Sequence, residues 1–169
     1  MHQNSYRIMN TLLAPMRALM GDKDLVVVDY GSKEHPAGPG TYRPLIPVPW
    51  KYIGVDLEEG ANVDHVMVSE YDTGLPGGHA DIVISGQCLE HTTNPFRAVA
   101  EMARVCTFGG TIILIAPFAW EVHRFPIDCW RFCPDGMVEL MQEAGCFPLV
   151  ADISENDCYA MGVKRVANG

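Results

Sequence analysis

Leu25–Val28, Ile82–Ile84 and Ile112–Ile115 are unbroken runs of Val, Ile and Leu. A strand with one wet face alternates apolar and polar side chains. An unbroken run needs cover on both faces, the pattern of a parallel strand inside a helix-covered sheet. Helical spacing supplies that cover. Met9, Leu12, Leu13, Met16 and Met20 recur on one face of residues 1–21, with Ser5 as the expected N-cap, Pro15 as a kink and Gly21 at the C-terminal end. Asn94-Pro95 opens a second helix that aligns Phe96, Val99, Ala100, Ala103 and Cys106 before Gly109-Gly110 stops it. Pro134 opens a third, whose Met137, Leu140, Met141 and Ala144 face inward before Gly145. Tyr52–Asp56 and Val63–Val68 read as further strands, and 146–152 and 157–165 as the last two. Strands alternating with helices predict a doubly wound α/β sheet with helices on both faces.

At 169 residues this pattern predicts a single domain over 1–169 that needs no disulfide or metal staple. Residues 33–50 interrupt it: Pro36, Pro39, Pro44, Pro47 and Pro49 exclude a long helix and leave a structured loop with at most one helical turn. Residues 117–133 form a second loop insert. A formal charge of −9 repels phosphate backbones and argues against nucleic acid as a partner. The six cysteines fall mostly inside apolar segments, unlike a disulfide framework, and point to the reducing cytoplasm. No apolar run approaches the roughly 20 residues of a membrane-spanning helix, so no membrane partner is expected. Arg7 and Arg17 without an acid raise a transit peptide as the less favoured reading of residues 1–21, against a docked helix.

Ligands of doubly wound sheets sit beyond the carboxyl ends of the strands. Those ends are Asp29-Tyr30-Gly31, Asp56-Leu57, Ser69-Glu70-Tyr71, Ser85-Gly86-Gln87 and Ala116-Pro117. A carboxylate at the tip of the second strand can accept hydrogen bonds from both vicinal hydroxyls of a ribose, and Asp56 stands there. Gly31 admits a ligand with no Cβ in the way, while Asp29 orients the turn or reaches a ligand cation through water. An apolar strand, Asp-x-Gly and then a strand ending in an acid is the layout of nucleoside-cofactor sites. The bland alternative is a turn-capping Asp29 and a solvated Asp56. The Gly-x-Gly-x-x-Gly fingerprint of nicotinamide oxidoreductases is missing after the first strand.

From residue 25 onward the sequence resembles the class I S-adenosylmethionine-dependent methyltransferases. Val26–Ser32 looks like the family's first motif, Tyr52–Asp56 its second and Asp81–Ser85 its fourth-strand motif. Leu89-Glu90-His91-Thr92-Thr93-Asn94-Pro95 looks like a Glu-His segment of the methyltransferase type 11 subgroup, and Gly109-Gly110-Thr111 to Pro117 like the fifth-strand entry. His123–Pro134 resembles a signature of small bacterial members, some found in glycan-associated clusters. The resemblance implies a Rossmann-like, seven-stranded, mostly parallel sheet with an antiparallel last strand, bound S-adenosylmethionine, and methyl transfer to a small-molecule or glycan-linked acceptor. It further implies that Asp29 and Gly31 line the methionine moiety, that Asp56 holds the ribose hydroxyls with Leu57 against the adenine, and that Glu70 or Tyr71 sits at the adenine edge. Ser85, Gly86 and Gln87 would face the methyl group and acceptor. One departure stands out: Lys33 and His35 occupy the family's second and third glycine positions. The loop would then supply its own contacts from Gly38, Gly40 or Tyr42, or the chain is a non-catalytic interaction protein that has lost the cofactor.

Displacement at a sulfonium needs an acceptor held in line and a base for any proton. His91, His123 and Asp128 are the candidates, set against a structural His91 and an Asp128 to Arg131 ion pair that merely fixes its loop. Trp120, Trp130 and Phe132 read as core plugs in preference to stacking surfaces. His123, Cys129 and Cys133 lack the paired spacing of a zinc site, so no metal is expected. With no large cap in the chain, a shallow acceptor pocket and a homodimer both fit.

Overall fold

The computed structural model describes residues 2–35 and 40–166. Seven strands form one sheet: β1 (Val26–Tyr30), β2 (Lys51–Asp56), β3 (His65–Val66), β4 (Ala80–Gly86), β5 (Cys106–Pro117), β6 (Cys146–Ser154) and β7 (Asp157–Lys164). Their order is β3-β2-β1-β4-β5-β7-β6. The pairings from β3 through β5 are parallel, and β7 runs antiparallel to both its neighbours. This is the doubly wound arrangement with an antiparallel last strand that the sequence predicts. The chain leaves β1 toward β2 on one side and reaches β4 on the other, so the crevice at the carboxyl end of β1 is the topological switch point.

The unbroken apolar runs follow from the pleat. Val27, Ile82, Ile84, Ile113 and Ile115 face one core, where α1 (Gln3–Met20) contributes Ile8, Met9 and Leu13. Their neighbours Val28, Val83, Ile112 and Leu114 face a second core beneath α2 (Pro95–Val105) and α3 (Pro134–Glu143). Each strand therefore buries consecutive side chains on opposite faces, which an alternating sequence could not do.

Between β1 and β2 the described residues hold no α-helix, only a single 3-10 turn at Arg43–Leu45. The prolines forbid a helix, and the loop's own apolar side chains cover the sheet instead. Tyr42, Leu45 and Trp50 join the α1 core; the Trp50 indole donates to the Met20 carbonyl (3.0 Å) and Arg17 to the Leu45 carbonyl (3.1 Å). Gly38 lies outside the described residues.

Three local expectations are corrected. The α1 N-cap is His2 and makes no side-chain capping bond, whereas Ser5 is buried in the first turn with its hydroxyl on that of Tyr42; Gly21 ends the helix as expected, with right-handed backbone at φ −62°. Cys106 begins β5 instead of ending α2, because it pairs with Ala80 across an irregularity in the β4–β5 ladder, and Gly109-Gly110 lies within the strand. The third strand shrinks to His65–Val66, since its partners are only the last two residues of β2. No helix among the described residues is long and apolar enough to cross a membrane.

Candidate functional site

At the carboxyl ends of β1 and β2 the site is shaped by main chain. The Gly31 and Ser32 amides both donate to the Val55 carbonyl (2.9 and 3.0 Å), folding the turn against β2. Gly31 has φ +80°, and a Cβ there would lie 2.4 Å from the Cys88 Sγ, so glycine is required by conformation and by space. Asp56 is half-buried at the tip of β2, and its Oδ2 accepts the Lys33 amide (2.9 Å). Leu57 beside it is 51% exposed. The Lys33 stem lies on Gly60 and its ammonium pairs with Glu58 (2.6 Å).

Asp29 is buried and accepts the Tyr52 hydroxyl; Asn62 donates to that hydroxyl (2.8 Å) and to the Ser32 carbonyl (2.8 Å). Burial pushes the Asp29 carboxyl up to about 7, against the lowering effect of the Tyr52 bond. Asp29 therefore braces the turn through Tyr52 and Asn62. Tyr52 opens the second motif without a role assigned to it, and Asn62 lies outside every motif.

The other expected cofactor residues each have a structural partner. Ser85 is buried and donates to the Tyr30 carbonyl (2.9 Å). Gly86 is covered by the Tyr42 hydroxyl, 1.9 Å from where a Cβ would stand. Gln87 bridges Asp157 and His2 at 3.0 Å each, fastening α1 to β7. Glu70 accepts the Thr93 amide (2.6 Å) and hydroxyl (3.1 Å), and the Tyr71 hydroxyl bonds the same Thr93 beneath the Arg97 guanidinium. Those two anchor the start of α2. Tyr71 also lines a shallow groove with Asp72, Arg97, Glu101 and Arg104, which includes neither Gly31 nor Asp56.

At the β4–β5 end the site is shaped by side chains. A 3-10 turn, Leu89–His91, follows β4, and the Cys129 amide donates to the Glu90 carbonyl (2.7 Å), tying the 117–133 insert to it. Asp128 accepts Arg131 through both oxygens (2.6 and 2.8 Å) and the His123 amide (2.7 Å). Arg131 holds the Asp128 carboxyl far below the usual carboxylate range, so Asp128 stays ionised as a strut for the loop. The same guanidinium donates to the Trp120 and Glu121 carbonyls. His91 and His123 stack edge to face with ring centroids 5.0 Å apart, and Phe125 packs on both. Burial lowers the His91 pKa, leaving the ring neutral. Glu90, fully buried, faces both rings, and burial pushes it up to about 8.

Of the three aromatics expected in the core, only Phe132 is there. Trp130 is 41% exposed with its indole on the Thr92 carbonyl, and Trp120 is 45% exposed and stacked on His2. Sequence reasoning quoted Glu90 within a motif but gave it no role, and it passed over Cys88. The available signal for Glu90 was an acid beside His91 in an otherwise apolar strand-end turn.

Residues 37–114 match the family model described as a methyltransferase domain. No curated protein matches the chain. Among solved structures, the fold is similar to an S-adenosylmethionine-dependent methyltransferase from Aquifex aeolicus (15% identity, TM-score 0.66, 89% of this chain and 88% of that one). It is similar also to the Burkholderia thailandensis 1,6-didemethyltoxoflavin N1-methyltransferase with bound 1,6-didemethyltoxoflavin and S-adenosylhomocysteine (14% identity, TM-score 0.73, 96% and 79%). A third similar structure, from Methanosarcina mazei, is described as an S-adenosylmethionine-dependent methyltransferase (11% identity, TM-score 0.68, 90% and 98%). The match covers fewer than half of the residues, and at 11–15% identity the likeness to these structures is one of fold.

Proposed function

We propose that this chain transfers a methyl group from S-adenosylmethionine to a small-molecule or glycan-linked acceptor. The observation that carries the reading is Asp56: a half-buried carboxylate at the tip of β2, beside a positive-φ glycine turn at the switch point and inside the matched domain. The residues present fit the cofactor. An acceptor-only carboxylate suits a ribose diol, exposed Leu57 offers an apolar surface to a base, and Lys33 in the glycine position is drawn aside by Glu58. When bound, the cofactor would supply an electrophilic methyl on a sulfonium.

The chain's own part is to position cofactor and acceptor. Asp29 braces the glycine turn through Tyr52, and Arg131 with Asp128 holds the 117–133 insert over the mouth. His91 and His123 each direct Nδ1 to a carbonyl, which leaves the Nε2 lone pair on the side of Glu90. That end is where an acceptor is oriented.

Titrating S-adenosylmethionine and S-adenosylhomocysteine calorimetrically into the purified protein tests the reading. Micromolar affinity is expected, with a loss of about tenfold or more in Asp56→Ala, equivalent to ~1.4 kcal/mol. An absence of heat and of any thermal shift with either ligand overturns it in favour of a non-catalytic interaction protein.

A further inference from the structure

Glu90 is the one residue among those described whose buried side-chain oxygens both lack a hydrogen-bond partner. It is 0% exposed. A buried carboxylate left without a donor costs several kcal/mol by the general rule, so whatever faces it decides its state. Two atoms face it closely: Nε2 of His91 at 3.7 Å and Nε2 of His123 at 3.9 Å, both from Oε1. These separations exceed a hydrogen bond.

The tautomers are set from behind. His91 Nδ1 lies 2.6 Å from the Ile127 carbonyl, and His123 Nδ1 lies 3.0 Å from the Glu121 carbonyl and 3.4 Å from Asp128 Oδ2. A carbonyl only accepts, so each Nδ1 carries the proton and each Nε2 is left as a lone pair. Two lone pairs and a buried carboxyl group then converge, and no other group among the described residues donates a hydrogen bond to the carboxyl oxygens. Hydrogen-bonding the rear nitrogen to a carbonyl or carboxylate is how proteins orient metal-binding histidines. Arg131, whose charge acts on Glu90, is paired with Asp128 through both carboxylate oxygens.

We infer that Glu90, His91 and His123 bind a divalent transition-metal ion through one carboxylate oxygen and two Nε2 atoms. Ligand atoms of the three lie within 4.8 Å of one another. Bonds of about 2.0–2.1 Å at tetrahedral angles place ligands ~3.4 Å apart, so each histidine has to close on Glu90 by about half an ångström and the widest pair of the cluster by at most about 1.4 Å. Two histidines and one carboxylate leave at least one coordination position open, and this donor set suits Zn²⁺, Mn²⁺, Fe²⁺ or Co²⁺ over Mg²⁺ or Ca²⁺. The site sits on the turn after β4, under the insert. On the methyltransferase reading above, the open position takes an oxygen of the acceptor, such as a hydroxyl, and holds it for the methyl group. The cysteines that drew attention in the sequence are not ligands. Cys129 and Cys133 are exposed and stand outside the cluster.

The test is a Co²⁺ titration of chelator-stripped full-length protein, read by visible d–d absorption and by the thermal midpoint. One ion per chain is expected, without the intense thiolate charge-transfer band, and with a midpoint that rises with Co²⁺ concentration. His91→Ala, His123→Ala and Glu90→Gln should each weaken binding tenfold or more, and the Cys129→Ser/Cys133→Ser double variant should leave it unchanged. Should a histidine variant fail to fold, ring resonances decide in the wild-type protein: Zn²⁺ should shift those of His91 and His123 and spare His65 and His79. No saturable binding, or binding indifferent to the histidine substitutions and to those resonances, overturns the site. S-adenosylmethionine affinity of the metal-free protein is measured separately, so loss of the methyltransferase reading and loss of the metal site give different results.

Discussion

The two ends of the crevice are built by opposite means. At the β1–β2 end, backbone does the shaping: two amides on one carbonyl, a glycine at φ +80°, and a carboxylate one residue beyond its last buried neighbour. At the β4–β5 end, side chains reach across more than thirty residues of sequence to join the Leu89–His91 turn to the 117–133 insert. Backbone shaping leaves a short local pattern that tolerates few substitutions. Side-chain shaping leaves a network whose parts can be removed singly, each with a graded loss.

Gly31→Ala should therefore give the largest effect. The new methyl would need a positive φ and would overlap the Cys88 side chain at 2.4–2.6 Å. Strain and overpacking together predict a loss of about 2–4 kcal/mol in urea unfolding, accompanied by loss of cofactor binding. A stability within ~0.5 kcal/mol of wild type would show that the turn is less constrained than the contrast requires.

Asp29 provides the next effect, through pH. Its folded pKa, about 7, lies above the unfolded 3.8, so the folded state holds the extra proton between these values. The slope of stability with pH is then negative: the contribution is full below about 3.8 and lost as pH rises through about 7. Asp29→Asn should flatten that slope and stabilise the protein at pH 8 by on the order of 2 kcal/mol, because it removes a buried charge, a gain reduced by the amide protons' need for new acceptors. Unfolding at pH 5 and pH 8 decides it; an unchanged slope would assign the buried proton elsewhere.

Arg131→Ala should act locally, at the other end. It releases Asp128 and the Trp120 and Glu121 carbonyls, freeing the insert while the sheet stays intact. Protease cleavage within 117–133 should accelerate, with a global loss of about 1–2 kcal/mol. Unchanged cleavage would mean that the contacts of Ile127, Cys129 and Trp130 suffice to hold the loop.

The same contrast explains what was legible in the sequence. The sheet could be read because Val27 and Val28 must each find a different core, and Asp56 because a strand that ends on an acid is a local pattern. Ser85 and Gly86 stand at a strand end as expected, yet which side a strand-end residue presents depends on Tyr30 and Tyr42, and no spacing rule reports that. The lack of a crossover helix among the described residues between β1 and β2 was readable from five prolines. That Tyr42, Leu45 and Trp50 would take its place in the core was not, since it depends on where the loop meets α1. Glu90 escaped for a related reason: its meaning comes from His123, thirty-three residues on, and from the carbonyls behind both rings.

Lys33 gives the smallest expected effect and the sharpest test of the backbone end. A side chain in a position that the resembled family fills with glycine either blocks the crevice or is held clear of it. Here the stem lies on Gly60 and the ammonium is on exposed Glu58, so the only Lys33 group that reaches Asp56 is its amide. Alanine keeps that amide. An exposed pair of this kind contributes little to stability in general, being screened by solvent and opposed by side-chain entropy. Lys33→Ala should accordingly leave the thermal midpoint unchanged and S-adenosylmethionine affinity within about threefold of wild type, a difference of ~0.7 kcal/mol. Pro at the same position removes the amide that Asp56 accepts, and Lys33→Pro should weaken the cofactor well beyond the alanine variant. If alanine instead tightens binding tenfold, the side chain stands in the cofactor's path; if proline binds as alanine does, Asp56 is oriented by something other than the turn, and the backbone account of this end fails.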